Sequence, residues 1–234
     1  MIDRSLNYGR HLIERYLRLS LPFRSVLDIG AGQGHDLLSA KRLVPDAVLF
    51  AVETCPDFLP ALRQNGIGVS ATDIEKERLP FENGALDVVV ANQVLEHVKE
   101  VFWIFHEISR VLRTGGKVII GVPNLASLHN RILLLFGRQP TQIRTASAHV
   151  RGLTKGDLIG FFEAAFPEGY RLIASGGSNF YPFPPFLAKP LAGLFPGAAW
   201  GMFLLLEKQK EYTQEFLDFP TALRLETNFY LGRQ

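Results

Sequence analysis

The sequence predicts an α/β protein with a doubly wound, mostly parallel sheet, helices on both faces and an insertion after the fifth strand. Three observations predict it. Short apolar segments alternate with helix-patterned ones. A glycine-rich turn, "GAGQG" at 30–34, follows the first apolar segment. The run "ALDVVVAN" at 85–92 is continuous and β-branched, as expected of a strand covered on both faces.

In chain order, "RSVLDIG" at 24–30 reads as a buried first strand and Gly34 to Val44 as the first crossover helix. "AVLFAVE" at 47–53 is the second strand. Asp57 to Asn65 is a second helix, with an acidic cap and Pro60 in its first turn. "GIGVSATD" at 66–73 is a shorter third strand, and "ALDVVVAN" is the fourth. Leu95 to Leu112 repeats apolar residues at helical spacing, and "RTGG" at 113–116 ends that helix before a fifth strand, "KVIIGVP" at 117–123. After Asn124 an apolar helix around "ASLHNRILLLF" is inserted. "LTKGDLIGFFEAAF" resumes the pattern with Thr154 as cap, and "YRLIASGG" and "WGMFLLLEK" supply two more strands. The stretch 190–206 is too short for a membrane span and is broken by Pro190, Gly193, Pro196, Gly197 and Gly201, so it reads as a loop feeding a buried strand.

The 234 residues, 47% of them hydrophobic, suit one well-buried domain. The expected division of 1–234 is an N-terminal helix (1–22), a ligand-binding half (23–123), a lid insertion (124–153), the second half of the sheet (154–208) and a tail (209–234). Net charge is +2, from 25 basic and 23 acidic residues, so no global charge calls for nucleic acid. The imbalance is local: no acidic residue lies between Glu107 and Asp157, while eight Arg and Lys residues do. The single cysteine, Cys55, excludes an intrachain disulfide framework, and no signal-peptide pattern opens the chain, so a cytoplasmic enzyme is expected.

The glycine turn narrows the ligand. A dinucleotide fingerprint reads G-x-G-x-x-G, but from Gly30 this chain reads G-A-G-Q-G-H, with His35 where the third glycine belongs. Asp28, two residues before the first glycine, suits a cationic ligand group better than a pyrophosphate. Both features oppose a nicotinamide-dependent oxidoreductase.

Four stretches, "VLDIGAGQG", "AVE", "LPFENGALDVVVANQVLEHV" and "EISRVLRTGGKVIIGVPN", occur between Ser25 and Asn124 in an order that resembles the class I (Rossmann-like) S-adenosylmethionine-dependent methyltransferases, of the type 11-like small-molecule and glycan group. The resemblance implies a seven-stranded sheet whose last strand is antiparallel, and S-adenosylmethionine as cofactor with S-adenosylhomocysteine as product. It implies that Gly30, Ala31, Gly32 and Gly34 line the methionine part of the cofactor, with Asp28 supporting the loop or the ammonium group. Glu53, with Thr54 beside it, would accept from the ribose hydroxyls. Asp73 would take the adenine amine unless it merely caps its own turn, Ile74 would pack on the ring, and Asn92 and Gln93 would close the pocket beneath the methionine.

Methyl transfer from a sulfonium is an in-line displacement, so positioning and exclusion of water matter most. For a hydroxyl acceptor a base helps, and His97 and His149 are the candidates; a packed or capping histidine is the competing reading of His97. The Glu96–His97 pair contributes to a metal site in some relatives, but the sequence shows no clear remaining ligand set, and no metal is expected. Substrate choice is expected in the insertion, where the run of His149, Arg151, Leu153 and Thr154 resembles one in relatives. Arg144 and Arg151 would hold an anionic or polyhydroxylated acceptor, or else stand solvated. Tyr181, in the aromatic and proline-rich "SNFYPFPPF", would wall the acceptor pocket or contact a lipid-linked substrate, or simply pack as the connection between the last strands. The expected function is therefore O-methylation of a small molecule or a glycan precursor by a monomer or homodimer, without nucleic acid. The alternative is a methyltransferase-like, non-catalytic partner of a biosynthetic pathway.

Overall fold

The computed structural model describes residues 8–225; the first part of the expected N-terminal helix and the end of the tail, including most of "LRLETNFY", fall outside the described residues. Helix α1 (Arg10–Leu19) turns Leu12, Ile13, Tyr16 and Leu17 inward, as its apolar spacing dictates. It is followed by β1 (Ser25–Ile29), α2 (His35–Leu43), β2 (Val48–Val52), α3 (Leu59–Gln64), β3 (Gly68–Ser70), β4 (Leu86–Asn92), α4 (Val101–Val111) and β5 (Leu112–Pro123). The insertion carries α5 (Leu128–Leu135), and α6 (Lys155–Ala165), β6 (Tyr170–Ser178), α7 (Pro185–Leu194), β7 (Gly201–Lys208) and α8 (Glu215–Ala222) complete the described elements.

The strands form a seven-stranded sheet in the order β3-β2-β1-β4-β5-β7-β6. The first five run parallel, while β7 is antiparallel to both β5 and β6. The continuous apolar runs are explained by the period of two in a strand. Val26, Val88, Val90, Ile119, Phe203 and Leu205 pack with α1, α2 and α3 on one face. Their neighbours Leu27, Val89, Val118, Ile120 and Leu204 pack with α4, α6 and α8 on the other, around Phe105, Phe162, Phe166 and Phe216. The order reverses between β1 and β4, and a crevice opens there at the carboxyl ends of the strands.

Several local expectations are corrected. The helix expected from Leu95 starts at Val101: Leu95 to Glu100 is a turn, held by the N–H groups of Lys99 and Glu100 donating to Glu75 Oε1. Asp57 does not cap α3; Phe58 precedes its first residue, although Pro60 does occupy the first turn. "RTGG" is an irregularity inside β5, because Leu112 already pairs with Leu86 before the register shifts and Lys117 pairs with Val88. The loop expected through Pro190 contains α7, with Pro190 inside it. Thr154 does cap α6, accepting from the N–H of Asp157.

Candidate active site

Two cavities meet at the crevice and share Gly30 and Gln93. The first, about 410 Å³, is walled by Asp28, Gly30, Ala31, Gly32, Asp36 and Asn92, together with Tyr8 and Arg10 from the chain around α1. Gly30 has φ +71°, and a Cβ there would lie 2.5 Å from Val94 Cγ2, so both backbone and space demand glycine. Gly32 has φ +51° and nothing within 4 Å of a built Cβ. Its main chain therefore lies bare to the cavity, open to close approach by a ligand.

Carboxylates dominate this wall. Burial, and then the charges of Asp36 and Glu53, push the Asp28 carboxyl well above its ordinary range. Burial also raises Asp36, against the Asn92 hydrogen bond and the Arg10 charge that lower it. Asn92 Nδ2 donates to Asp36 Oδ2 at 3.0 Å and to the Tyr8 carbonyl at 3.3 Å. Asp36 Oδ1 and Asn92 Oδ1 are buried without a hydrogen-bond partner among the described residues. Buried acceptors left unmatched are costly, so the wall is matched to a ligand that brings donors and positive charge, as an amino-acid ammonium does.

The second cavity, about 280 Å³, contains Glu53, Thr54, Asp73, Ile74 and His97, with Val94 and Val98. Apolar side chains beside carboxylates suit a flat base joined to a hydroxylated sugar. Glu53, 9% exposed, directly follows β2. Its Oε2 accepts from the Gly32 N–H at 2.7 Å and its Oε1 from the Cys55 N–H at 2.8 Å, which ties the glycine turn to the second strand. Each carboxylate oxygen keeps a lone pair for a ligand hydroxyl. Asp73 lines the cavity and also caps its own turn: it accepts from the Glu75 N–H at 3.0 Å and pairs with Lys76 at 3.1 Å, interactions that hold its carboxyl below the usual range. Gln93, at the junction, adopts the left-handed φ of +60°, a conformation non-glycine residues hold mainly where the surroundings enforce it; its N–H donates to the Gly121 carbonyl at 2.7 Å.

His97 and His149, 52 positions apart in the sequence, meet edge to face with ring centroids 4.7 Å apart. The backbone brings them together: the N–H groups of Val150 and Arg151 donate to the Glu96 carbonyl at 2.9 and 3.2 Å, and Arg151 Nη2 donates to the Lys99 carbonyl at 2.9 Å. Burial pushes the Glu96 carboxyl up to about 7, and burial and then the neighbouring His97 lower His149.

Not every expected residue joins the crevice. Gly34 lines neither cavity, because it packs against Leu62 and Ile67. Arg151 is spent on the turn at Lys99 and the Glu100 charge. Tyr181 lies 5.0 Å from His129 and 5.6 Å from Trp200, and the Arg144 charge also acts on His129, so these two residues gather where α5 meets the β6–β7 connection. The sequence reading passed over Asp36, Arg10 and Tyr8. Asp36 carried one signal: an acid in the first turn of the helix that follows the glycines.

Residues 27–120 match the family model described as a methyltransferase domain. An arsenite methyltransferase from Halobacterium salinarum is 32% identical over 105 residues, 42% of this chain and 27% of that protein. A ubiquinone biosynthesis O-methyltransferase from Xanthomonas oryzae pv. oryzae is 29% identical over 112 residues, 46% of each chain. The chain thus spans less than half the length of these curated relatives. The solved structure of an S-adenosylmethionine-dependent methyltransferase from Thermotoga maritima, described as a possible histamine N-methyltransferase, superposes with TM-score 0.62 at 16% identity, over 88% of this chain and 91% of that one. Among the described residues, no helix is long and apolar enough to cross a membrane.

Proposed function

We propose that this protein, whose residues 27–120 match a methyltransferase domain, is a class I methyltransferase that binds S-adenosylmethionine across the two joined cavities and transfers its methyl group to a hydroxyl of a small molecule or glycan precursor, releasing S-adenosylhomocysteine. The observation that carries this reading is the junction itself: a carboxylate-walled cavity and a base-and-sugar-shaped one share Gly30 and Gln93.

The residues present fit that cofactor. The unpartnered oxygens of Asp36 and Asn92 take the ammonium group, bare Gly32 accommodates the chain, and Glu53 takes the ribose hydroxyls. Ile74 and Val98 flank the base, and Asp73 is the acceptor beside it. When bound, the cofactor supplies a methyl group on a positively charged sulfur, transferred with its bonding pair left on that sulfur. The protein's own part is to fix the ends of the cofactor, exclude water and orient the incoming oxygen. Gln93, held rigid at the junction, marks where the two halves of the ligand join. His97 reaches the second cavity and with His149 forms the group able to receive the acceptor's proton.

Acceptor recognition is assigned to the insertion and the β6–β7 connection, with Arg144 and Tyr181 beside His129 and with Arg151 shaping the turn behind them. These segments also expose Leu134, Leu135, Phe136, Phe186 and Leu194. No acidic residue lies between Glu107 and Asp157 or between Glu168 and Glu207. An exposed apolar surface with only basic charge fits an acceptor carried on an anionic lipid surface.

Calorimetry with S-adenosylhomocysteine and with NADH in parallel tests the cofactor. One equivalent of the former and none of the latter is expected; the reverse would end this reading. Flotation with vesicles containing anionic lipid tests the acceptor's carrier, and protein left at the bottom of the gradient would point to a water-soluble acceptor.

A further inference from the structure

We propose that Glu96, His97 and His149 form a divalent-cation site that takes an ion of the Zn²⁺, Co²⁺ or Mn²⁺ class and presents it to the hydroxyl of the methyl acceptor. One ligand atom from each residue lies within 4.8 Å of the others. Glu96 is 2% exposed, and its Oε2 has no hydrogen-bond partner among the described residues. His149 Nδ1 is likewise buried and unpartnered. A buried carboxylate oxygen and a buried imidazole nitrogen in one cluster, neither with a hydrogen-bond partner among the described residues, are each costly to leave unmatched. A cation satisfies both, together with the third donor.

The surroundings arrange the donors for this. His97 Nδ1 sits 3.3 Å from the Ala148 carbonyl. A carbonyl there selects the tautomer with hydrogen on Nδ1 and leaves Nε2 as the lone-pair donor, the outer-shell arrangement typical of histidines that bind metal. His149 Nδ1, buried and without a hydrogen-bond partner among the described residues, is the nitrogen it offers. Val150 and Arg151, bonded to the Glu96 carbonyl, hold the two contributing segments together without using the side-chain donors. Two imidazoles and one carboxylate suit a borderline transition ion better than Mg²⁺ or Ca²⁺, and three protein ligands leave coordination positions open.

The site deepens the proposed function and rests on it for its role. His97 lines the cavity assigned to the nucleoside, so an acceptor oxygen reaching the methyl group passes the cluster. With the ion bound, His97 and His149 act through it and no longer as bases: coordination acidifies the hydroxyl, and its proton passes to water near neutral pH. The alkoxide oxygen forms the new O–CH₃ bond as the S–CH₃ bond breaks and its electron pair stays on sulfur.

The test uses the full chain freed of any affinity tag, carrying Cys55→Ser to remove the free thiol, stripped with chelator and titrated with Co²⁺. One equivalent with a visible ligand-field band is expected. His149→Gln and Glu96→Gln should each weaken uptake at least 100-fold while the far-ultraviolet spectrum is kept, and Arg18→Ala, at a surface ion pair of α1, should leave it unchanged. No uptake by the parent protein, or uptake indifferent to both His149→Gln and Glu96→Gln, would overturn the site. Should those variants fail to fold, diethyl pyrocarbonate modification of His97 and His149 takes their place: protection by Co²⁺ is expected, and equal modification with and without Co²⁺ counts against the site. S-adenosylhomocysteine calorimetry on the stripped protein reports separately on the cofactor reading, so either can fail without the other.

Discussion

Asn92 at the end of β4 and Asp36 in the first turn of α2 are joined by a 3.0 Å hydrogen bond on the wall of the first cavity, and each keeps one buried oxygen without a partner among the described residues. This pair couples the reversal point of the sheet to the helix after the glycine turn. Because burial raises the Asp36 carboxyl, its charge is held at a cost to the fold.

Asp36→Asn should therefore raise stability and lower cofactor affinity together. Removing the charge relieves desolvation and repulsion with Asp28, so the melting temperature is expected to rise by roughly 2–4 °C, about 1 kcal/mol at this chain length. Loss of the charged partner for the ammonium group should weaken S-adenosylhomocysteine about tenfold by calorimetry. A variant of unchanged affinity would remove Asp36 from the site.

The two glycines should respond differently to alanine. Gly30→Ala places a methyl 2.5 Å from Val94 Cγ2 at φ +71°, and is expected to cost about 2–3 kcal/mol in urea unfolding. Gly32→Ala meets open space at φ +51°, so about 1 kcal/mol is expected, with the larger effect on ligand affinity. Equal stability losses in both variants would contradict the geometry.

Glu107, 1% exposed, accepts from Arg110 Nε at 2.8 Å and Nη2 at 2.6 Å and from the Leu79 N–H at 2.7 Å. Arg110 also donates to the Leu79 and Phe81 carbonyls. Arg110→Ala leaves the buried carboxylate, of its cationic partners, only the longer contact with exposed Arg78, at 3.7 Å, and should cost about 3–5 kcal/mol. The double variant Arg110→Met, Glu107→Leu should recover much of it, read as a partial return of the urea midpoint; no recovery would show that the backbone carbonyls, not the ion pair, set the cost.

Burial pushes His106 down to about 4 from its ordinary 6.5, despite Glu107 Oε1 at 3.4 Å, which favours the protonated form. Glu107 is already committed to Arg110, so the imidazole is neutral in the fold. Between those two values the unfolded chain binds a proton that the folded one does not. The contribution of His106 is complete above pH 6.5 and falls by roughly 3 kcal/mol as pH drops to 4. Against His106→Gln, wild type should lose more stability between pH 7.5 and 4.5 in urea unfolding, and parallel losses would refute the assignment.

Much of the architecture was legible because a strand covered on both faces must be apolar at every position, as Val88, Val89 and Val90 are, facing alternate cores. Glu53 was legible as an acid ending such a strand, and Thr154 as a hydroxyl before a helix. The start of α4 was not, because apolar spacing continues through 95–100 while Glu75, distant in sequence, captures the N–H groups of Lys99 and Glu100. The meeting of Tyr181 and Arg144 at His129 was not legible either, since packing between the insertion and the β6–β7 connection decides it, and neither residue lines the two cavities.

By itself, then, the order of residues determined the alternating strands and helices, the glycine turn behind Asp28 and the acid at the tip of β2, since each follows from local periodicity or a single backbone requirement. Only the tertiary structure decided that Asp36 faces Asn92 and that His149 stands beside Glu96 and His97. Those meetings are made by hydrogen bonds between segments 50 or more residues apart, and no local pattern encodes which carbonyl a distant N–H will find.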